Sequence, residues 1–232
     1  MQQQTVSFAG ALWQVYVRDE ADRSIFAEIF KLREYRAAEE VIKEALDPII
    51  DVGAHSGLFS LYVRALNSIV PIIAIEPEKN NIKLLQKHFK ENNISLVTIF
   101  TGALAGEAGR RKLALSGDSH AHRLLDISPA EESNAIEIVP AISLPGLFKK
   151  YALERISLIK MDIEGAEYEI FENLDNEDFL KIGAIIMEYH NYDSHHYSEI
   201  EKKLRQNGFG VQIFPSKFDK RMGFIFAKNK RK

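Results

Sequence analysis

The chain has 232 residues and not one of them is cysteine. Disulfides, thiolate metal centres and cysteine nucleophiles are therefore excluded. The absence fits a reducing compartment. Long hydrophobic runs are missing too. The longest apolar stretch, Ile69 to Ile75, contains Pro71 and falls far short of the ~20 residues that span a bilayer. Met1 to Trp13 lacks the basic start and long apolar stretch of a secretory signal. A cytoplasmic location and no membrane partner are expected. An excess of one charge is lacking as well, because 30 Lys+Arg stand against 33 Asp+Glu for a net charge of -3. No general field exists to draw in a nucleic-acid backbone, so no nucleic-acid partner is expected. Internal repeats and low-complexity linkers are absent.

What is present is enough apolar material for a full core, at 46% of residues. The length fits one large domain, or one domain with a small appendage. Residues 1 to 18 alternate around Phe8, Leu12, Val15 and Val17, which suggests a short hairpin. Residues 22 to 46 look helical, with Ile25, Ile29 and Leu32 on one face, then Val41, Ile42 and Leu46 on a second helical stretch. Residues 1–47 are thus expected to form a hairpin and helical appendage to a main domain over 48–232.

From Pro48 the pattern changes. Pro48 to Val52 is a short apolar strand ending at Gly53, and Leu58, Leu61, Tyr62 and Ala65 follow at helical spacing. Strand Val70 to Ile75 comes next, then a helix from Pro77 to about Lys90 with Ile82, Leu85 and Phe89 on one face. Ile94 to Phe100, Ile156 to Met161 and Ala184 to Tyr189 read as further strands. Strands alternating with helices predict an α/β fold, a parallel sheet covered on both faces. Gly210 to Phe214 and Gly223 to Ala227 read as a closing antiparallel hairpin. Residues 101 to 147 break the rhythm. Lys112 to Leu115 and Ile136 to Val139 could be strands there, and the segment is a candidate for substrate binding.

Four motifs carry chemistry. The first, Asp51-Val52-Gly53-Ala54-His55-Ser56-Gly57, turns a strand sharply into a helix. Gly53 lets the backbone approach a ligand, and Gly57 lets helix and strand pack closely. An ordinary strand-to-helix turn is the plainer alternative. The second is Glu76, 25 residues after Asp51 and followed by Pro77. A carboxylate at that strand end can accept from ribose hydroxyls, or simply cap the helix that Pro77 begins. The third is Lys160-Met161-Asp162-Ile163-Glu164-Gly165-Ala166-Glu167. Asp162 could hold a cofactor ammonium or sit beside a transferring group, or the acids could serve the helix dipole, with Asp162 as cap. The fourth, Glu188-Tyr189-His190, brings a carboxylate and an imidazole to the same sheet edge. His190 could take a proton, with Glu188 orienting the site, or could be a partly exposed loop histidine.

The turn narrows the cofactor. A dinucleotide fold would show G-x-G-x-x-G, but His55 stands where the second glycine belongs. A side chain there crowds a pyrophosphate. S-adenosylmethionine has none and tolerates it. A Gly-Lys-Ser/Thr phosphate loop is absent as well. His120 with His122, and His195 with His196, could ligate a metal, yet no acidic spacing supports them and no metal is expected. His195 and His196 read instead as a helix start. The terminal Lys228, Lys230, Arg231 and Lys232 read as a solvated tail.

Taken together, Ile50 to Leu58, Ile75-Glu76-Pro77, Ile159 to Glu167 and Glu188-Tyr189-His190 resemble the FkbM-type methyltransferases over roughly residues 48 to 192. The Lys-x-Asp-x-Glu-Gly-Ala-Glu block is the most specific part. The resemblance implies a Rossmann-like class I methyltransferase sheet of seven strands, mostly parallel, with one antiparallel strand near the edge. It implies S-adenosylmethionine as donor and an O-methyl product on a hydroxylated sugar or polyketide-like molecule. By that resemblance Asp51, Gly53, His55, Ser56, Gly57, Glu76, Pro77 and Ala103 hold the cofactor, with Asp162 close to the sulfonium. His190, Asp162 and Glu188 are the catalytic candidates. His55 departs from the asparagine common in the family. A non-catalytic cofactor-binding module, a nucleotide-dependent oxidoreductase and an RNA methyltransferase are the rival readings.

Overall fold

Four short runs set the architecture: Ile49-Ile50-Asp51-Val52, Ile72 to Glu76, Leu158 to Met161 and Ala184 to Tyr189. In a computed structural model of the chain nearly every residue in them is buried, as expected for parallel strands covered on both faces. The structure describes residues 1–114, 123–125, 136–163, 166–192, 195–217 and 219–231, with the backbone alone for 123–125.

In chain order the elements begin with β1 (Gln2–Phe8) and β2 (Ala11–Val17). Helix α1 (Glu20–Phe26) runs on as a π-helical turn, Ala27–Leu32, and a 3-10 turn, Glu34–Ala38, before α2 (Glu39–Glu44). Then come β3 (Ile49–Val52), α3 (Leu58–Leu66), β4 (Ile72–Glu76), α4 (Lys79–Glu91) and β5 (Val97–Thr101). The irregular segment supplies β6 (Ala103–Leu104), β7 (Gly109–Ala114), β8 (Arg123–Leu125) and β9 (Ile136–Ile142). The chain finishes with α5 (Leu144–Lys150), β10 (Leu158–Met161), α6 (Glu167–Glu172), α7 (Asn176–Lys181), β11 (Ala184–His190), α8 (Tyr197–Gln206), β12 (Phe209–Pro215) and β13 (Met222–Asn229).

Seven strands form the main sheet in the order β12-β13-β11-β10-β3-β4-β5. All neighbours pair in parallel except β13, which runs antiparallel to both β11 and β12. The expected closing hairpin is therefore real, with its second strand inserted inside the sheet. Strand order reverses between β3 and β10, and at such a switch point the loops at the strand ends diverge to leave a crevice. A separate four-stranded sheet, β6-β9-β7-β8, holds the two strands expected in the irregular segment.

Side-chain alternation sends each strand into two cores. Ile49, Ile72, Ala74, Leu158 and Ile186 pack with α3, with Leu85 and Phe89 of α4, and with the N-terminal segment. Ile50, Ile73, Ile75, Ile159, Ile185 and Met187 pack with α5 to α8. The N-terminal segment contributes Trp13, Val15, Val17, Phe26, Ile29, Tyr35 and Ile42 to the first core. Each large side chain buried there stabilises the fold by about 1.5–3 kcal/mol. That burial explains why α3 is buried on nearly all sides.

Five local expectations are corrected. The helical stretch is not continuous, because Arg33 has φ +53 and breaks it. Leu32, expected beside Ile25 and Ile29, is 64% exposed, since the π-helical turn widens the repeat and swings it off that face. Leu46 is 85% exposed, because α2 ends at Glu44 and Ala45 is already extended. Glu76 does not cap the following helix. Glu78 does, accepting from the backbone N–H groups of Asn80 and Asn81. Nor does Asp162 cap α6, which starts at Glu167 behind Ala166 with no side-chain cap.

Candidate active site

The turn after β3 is built around three left-handed residues, Gly53, His55 and Gly57. Gly53 has φ +70, and a Cβ on it would overlap the backbone carbonyl oxygen of Asp162. Its glycine is thus required by the close passage of the β10 end, and not by ligand approach alone. His55 has φ +48, a strained position for a side-chain-bearing residue. Gly57 packs its bare Cα against Leu85 and Phe89 of α4, where an added Cβ would lie 2.9 and 3.0 Å from their side chains. The partner is a neighbouring helix rather than the expected strand.

Glu76 ends β4 beside this turn, with both carboxylate oxygens organised. The His55 N–H donates to Oε2 at 2.8 Å, while the Glu78 N–H and the Asn81 side-chain amide donate to Oε1 at 2.9 and 3.2 Å. Burial pushes its pKa up to about 7 against those three donors. The His55 ring is dry as well, and burial drives its pKa down to about 3. Its Nε2 lies 3.4 Å from Arg18 Nη2, which can only donate. Its Nδ1 lies 3.2 Å from Ser56 Oγ.

Beneath the turn Lys160 acts as a strut. Its ammonium donates to the carbonyls of Val52 and Gly53 at 3.2 and 2.8 Å and lies 3.6 Å from Asp51 and 3.7 Å from Asp162. Asp51 also accepts from Ser60 Oγ at 2.7 Å. Its burial raises its pKa despite Lys160. The sequence presented Lys160 only as part of a charged block.

A cavity of about 940 Å³ opens over the carboxyl ends of these strands, within the size range of small-molecule sites. Its floor holds Gly53, His55, Glu76, Pro77, Asp162 and Glu188, and Ala103 lies on one side. Asp51, Ser56 and Gly57 lie behind the turn and do not line it; nor does His190. His190 ends β11 half-buried, and its carbonyl accepts from Tyr168 OH at 2.9 Å. The structure thus gathers Asp162 and Glu188 with the cofactor candidates and sets His190 apart from them. Glu164, His120 and His122 lie outside the described residues. His196 caps α8, in keeping with the expected helix start, and His195 stacks on Tyr168. Among the described residues no group of three or more histidines or acids is placed to hold a metal ion.

The roof was not legible in the sequence. It comes from Ile25 to Ala37, with Gln212, Phe214 to Lys217 and Met222 to Phe224 opposite. Tyr35 is buried edge-on against Phe59 and Phe224, with its hydroxyl 3.4 Å from Asp162 Oδ2. Burial holds its pKa well above the usual tyrosine range. Glu34 lines the same space, and burial, then Glu28 and Asp162, raise its pKa to about 7. Leu32, misplaced on the helix face, points into this cavity. No spacing rule connects these residues to Asp162, so no sequence signal marked them.

A seven-stranded sheet of this order, with one antiparallel strand inserted and a glycine turn at the switch point, defines the class I methyltransferase fold. Solved structures agree on the fold. An rRNA methylase from Streptococcus thermophilus superposes with a TM-score of 0.53 at 10% identity, over 85% of this chain and 96% of that one. The methyltransferase FkbM from Methylobacillus flagellatus gives 0.52 at 13% identity, over 91% of this chain and 55% of that one. The chain belongs to the methyltransferase FkbM domain family, whose profile matches residues 51–211. Among curated relatives, the methyltransferase sdnD of Sordaria araneosa is 28% identical over 70% of this chain and 73% of its own. The 31-O-demethyl-FK506 methyltransferase FkbM of Streptomyces tacrolimicus is 22% identical over 81% of each. Among the described residues no helix is long and apolar enough to cross a membrane.

Proposed function

We propose that this methyltransferase uses S-adenosylmethionine and methylates a hydroxyl of a small molecule, a sugar or a polyketide-like compound. The observation that carries the reading is the shared cavity. A buried, pre-oriented carboxylate at Glu76 and the bare Gly53 turn form one end, and Asp162 and Glu188 stand at the strand ends beside them. These residues fit the donor. Glu76 offers acceptor oxygen to a ribose, and the Gly53 turn would take the amino-acid end. When bound, the cofactor supplies an electrophilic methyl group. The chain's part is to hold the acceptor oxygen in line, exclude water and receive a proton. Asp162, with Tyr35 OH beside it and Glu188 nearby, is better placed for that proton than His190.

The O-methyl assignment draws on the relative named for 31-O-demethyl-FK506. The acceptor side sets Glu28, Glu34, Asp162 and Glu188 beside Arg33, Arg36 and Lys217, a lining of mixed charge rather than the basic groove that tracks an RNA backbone, which weighs against RNA. Calorimetric titration with S-adenosylhomocysteine, with NAD as control, tests the cofactor. Binding of NAD alone would overturn the reading of the turn. Hydroxylated sugars and polyketides are then screened with labelled methyl donor. On any acceptor found, Asp162→Asn should cut turnover more than cofactor affinity, and a His190→Ala variant that loses more turnover than Asp162→Asn would reverse the assignment.

A further inference from the structure

The N-terminal segment reaches the nucleoside end of the cavity as well as its roof. Arg18, just after β2, is clamped by Asp22 in a two-pronged ion pair, Nε to Oδ2 at 2.9 Å and Nη2 to Oδ1 at 2.8 Å. Asp22 is 1% exposed, and its Oδ2 also accepts the backbone N–H of Arg18 at 2.6 Å. Such a bidentate pair fixes the guanidinium in direction as well as in place.

The fixed guanidinium then reaches two residues of the cofactor end. Nη2 donates to Asn81 Oδ1 at 2.8 Å and lies 3.4 Å from His55 Nε2. Asn81 is buried, so the orientation of its amide matters. With its oxygen held by Arg18, its NH₂ faces Glu76 and donates to Oε1 at 3.2 Å. A flipped amide would set oxygen against carboxylate. Arg18 and Glu76 thus hold the Asn81 amide from opposite ends in one orientation. His55, the other residue Arg18 touches, holds Oε2 through its backbone N–H.

The lone pairs of Glu76 define the consequence. Oε1 already accepts from Glu78 N and Asn81 Nδ2, which fills it, and among the described residues Oε2 accepts only from His55 N. A carboxylate oxygen takes about two hydrogen bonds. The remaining acceptor position is on Oε2.

We propose that Arg18 is a positioning residue for the nucleoside site. Through Asn81 and His55 it locks the Glu76 carboxylate so that Oε2 is presented to a ribose hydroxyl. The proposal rests on the reading of Glu76 as the ribose-binding residue. It makes residues outside the methyltransferase core part of cofactor recognition.

The test is a cycle between a protein change and a ligand change. S-adenosylhomocysteine and its 2′,3′-dideoxy counterpart are titrated calorimetrically into the full chain and into Arg18→Met. The unaltered chain should prefer the hydroxylated ligand by about tenfold or more, a factor in keeping with one charge-assisted hydrogen bond. In Arg18→Met that preference should shrink to about twofold, with affinity for the dideoxy ligand little changed. An undiminished preference in Arg18→Met, even with both affinities lowered, would show a merely structural role and overturn the proposal. Failure of the unaltered chain to bind S-adenosylhomocysteine would strike the cofactor reading instead. If Arg18→Met does not unfold cooperatively, Arg18→Lys carries the test. It keeps the charge but cannot fork between Asp22 and Asn81, so the preference should still shrink, and a preference as large as that of the unaltered chain would refute the idea.

Discussion

Replacing Gly53 with alanine isolates what the turn demands. The backbone there has φ +70, which costs an alanine about 1–2 kcal/mol in any surroundings. The new Cβ also collides with the Asp162 carbonyl oxygen and lies 3.1 Å from its carbon. These are backbone atoms and cannot rotate away. Either β3 or β10 must shift, and the shift strains the Asp162 N–H to Val52 carbonyl bond at 3.3 Å and the Lys160 contact to Gly53 at 2.8 Å. Overpacking of this kind adds roughly 1–3 kcal/mol. The sum, about 2–5 kcal/mol, should lower the melting temperature by roughly 5–20 °C in a chain of this size. Gly10 supplies the control. It sits at φ +80 in the β1–β2 turn with nothing within 4 Å of an added Cβ, so Gly10→Ala should cost only the backbone part, about 1–2 kcal/mol. Both variants are compared by calorimetric melting and by titration with S-adenosylhomocysteine. Gly53→Ala should be the less stable and should bind more weakly, and a loss no larger than that of Gly10→Ala would refute the steric account.

Further outcomes follow from buried charges. Glu76 titrates near 7, so affinity for S-adenosylhomocysteine should fall as pH drops through that value and the acceptor is protonated. Stability of the ligand-free chain should move the other way. The folded pKa lies above the ordinary 4.5, so the Glu76 and Glu34 contributions decline as pH climbs from 4.5 to about 7. Urea melts at pH 5.5 and 8 check the second claim, and a ligand affinity flat across pH 6 to 8 would contradict the first. Glu39 accepts from Tyr62 OH at 2.5 Å and pairs with Arg33. Glu39→Ala should cost about 1–3 kcal/mol by stranding a hydroxyl in the core, and Tyr62→Phe, which removes donor rather than acceptor, should cost less in the same urea melts.

The main sheet was legible because its signal is local. Apolar runs such as Ile49-Ile50 and Ile185-Ile186-Met187, broken by Gly53 and the polar stretch after Met187, announce buried parallel strands without any tertiary information. Glu76 was legible because it stands a fixed distance beyond the glycine turn. The roof was not, since a π-helical turn and one left-handed residue, Arg33, shift every later side chain relative to the expected face. Nor was the link from Arg18 to Asn81, which joins residues 63 positions apart. Polar side chains that meet across such distances leave no periodic trace. The separation of His190 from the cavity depends on strand-end geometry that alternation alone does not fix.

The break at Arg33 has an evolutionary reading. The family profile begins at residue 51, whereas the roof over the acceptor side is drawn from Ile25 to Ala37. Part of the roof therefore lies outside the stretch the family profile spans, while Asp162 and Glu188 beneath it lie inside. Substitutions confined to that leading segment should change the choice of acceptor while leaving the Gly53 turn and Glu76 in place. Grafting that segment between relatives would be the natural way to move a specificity from one enzyme to another.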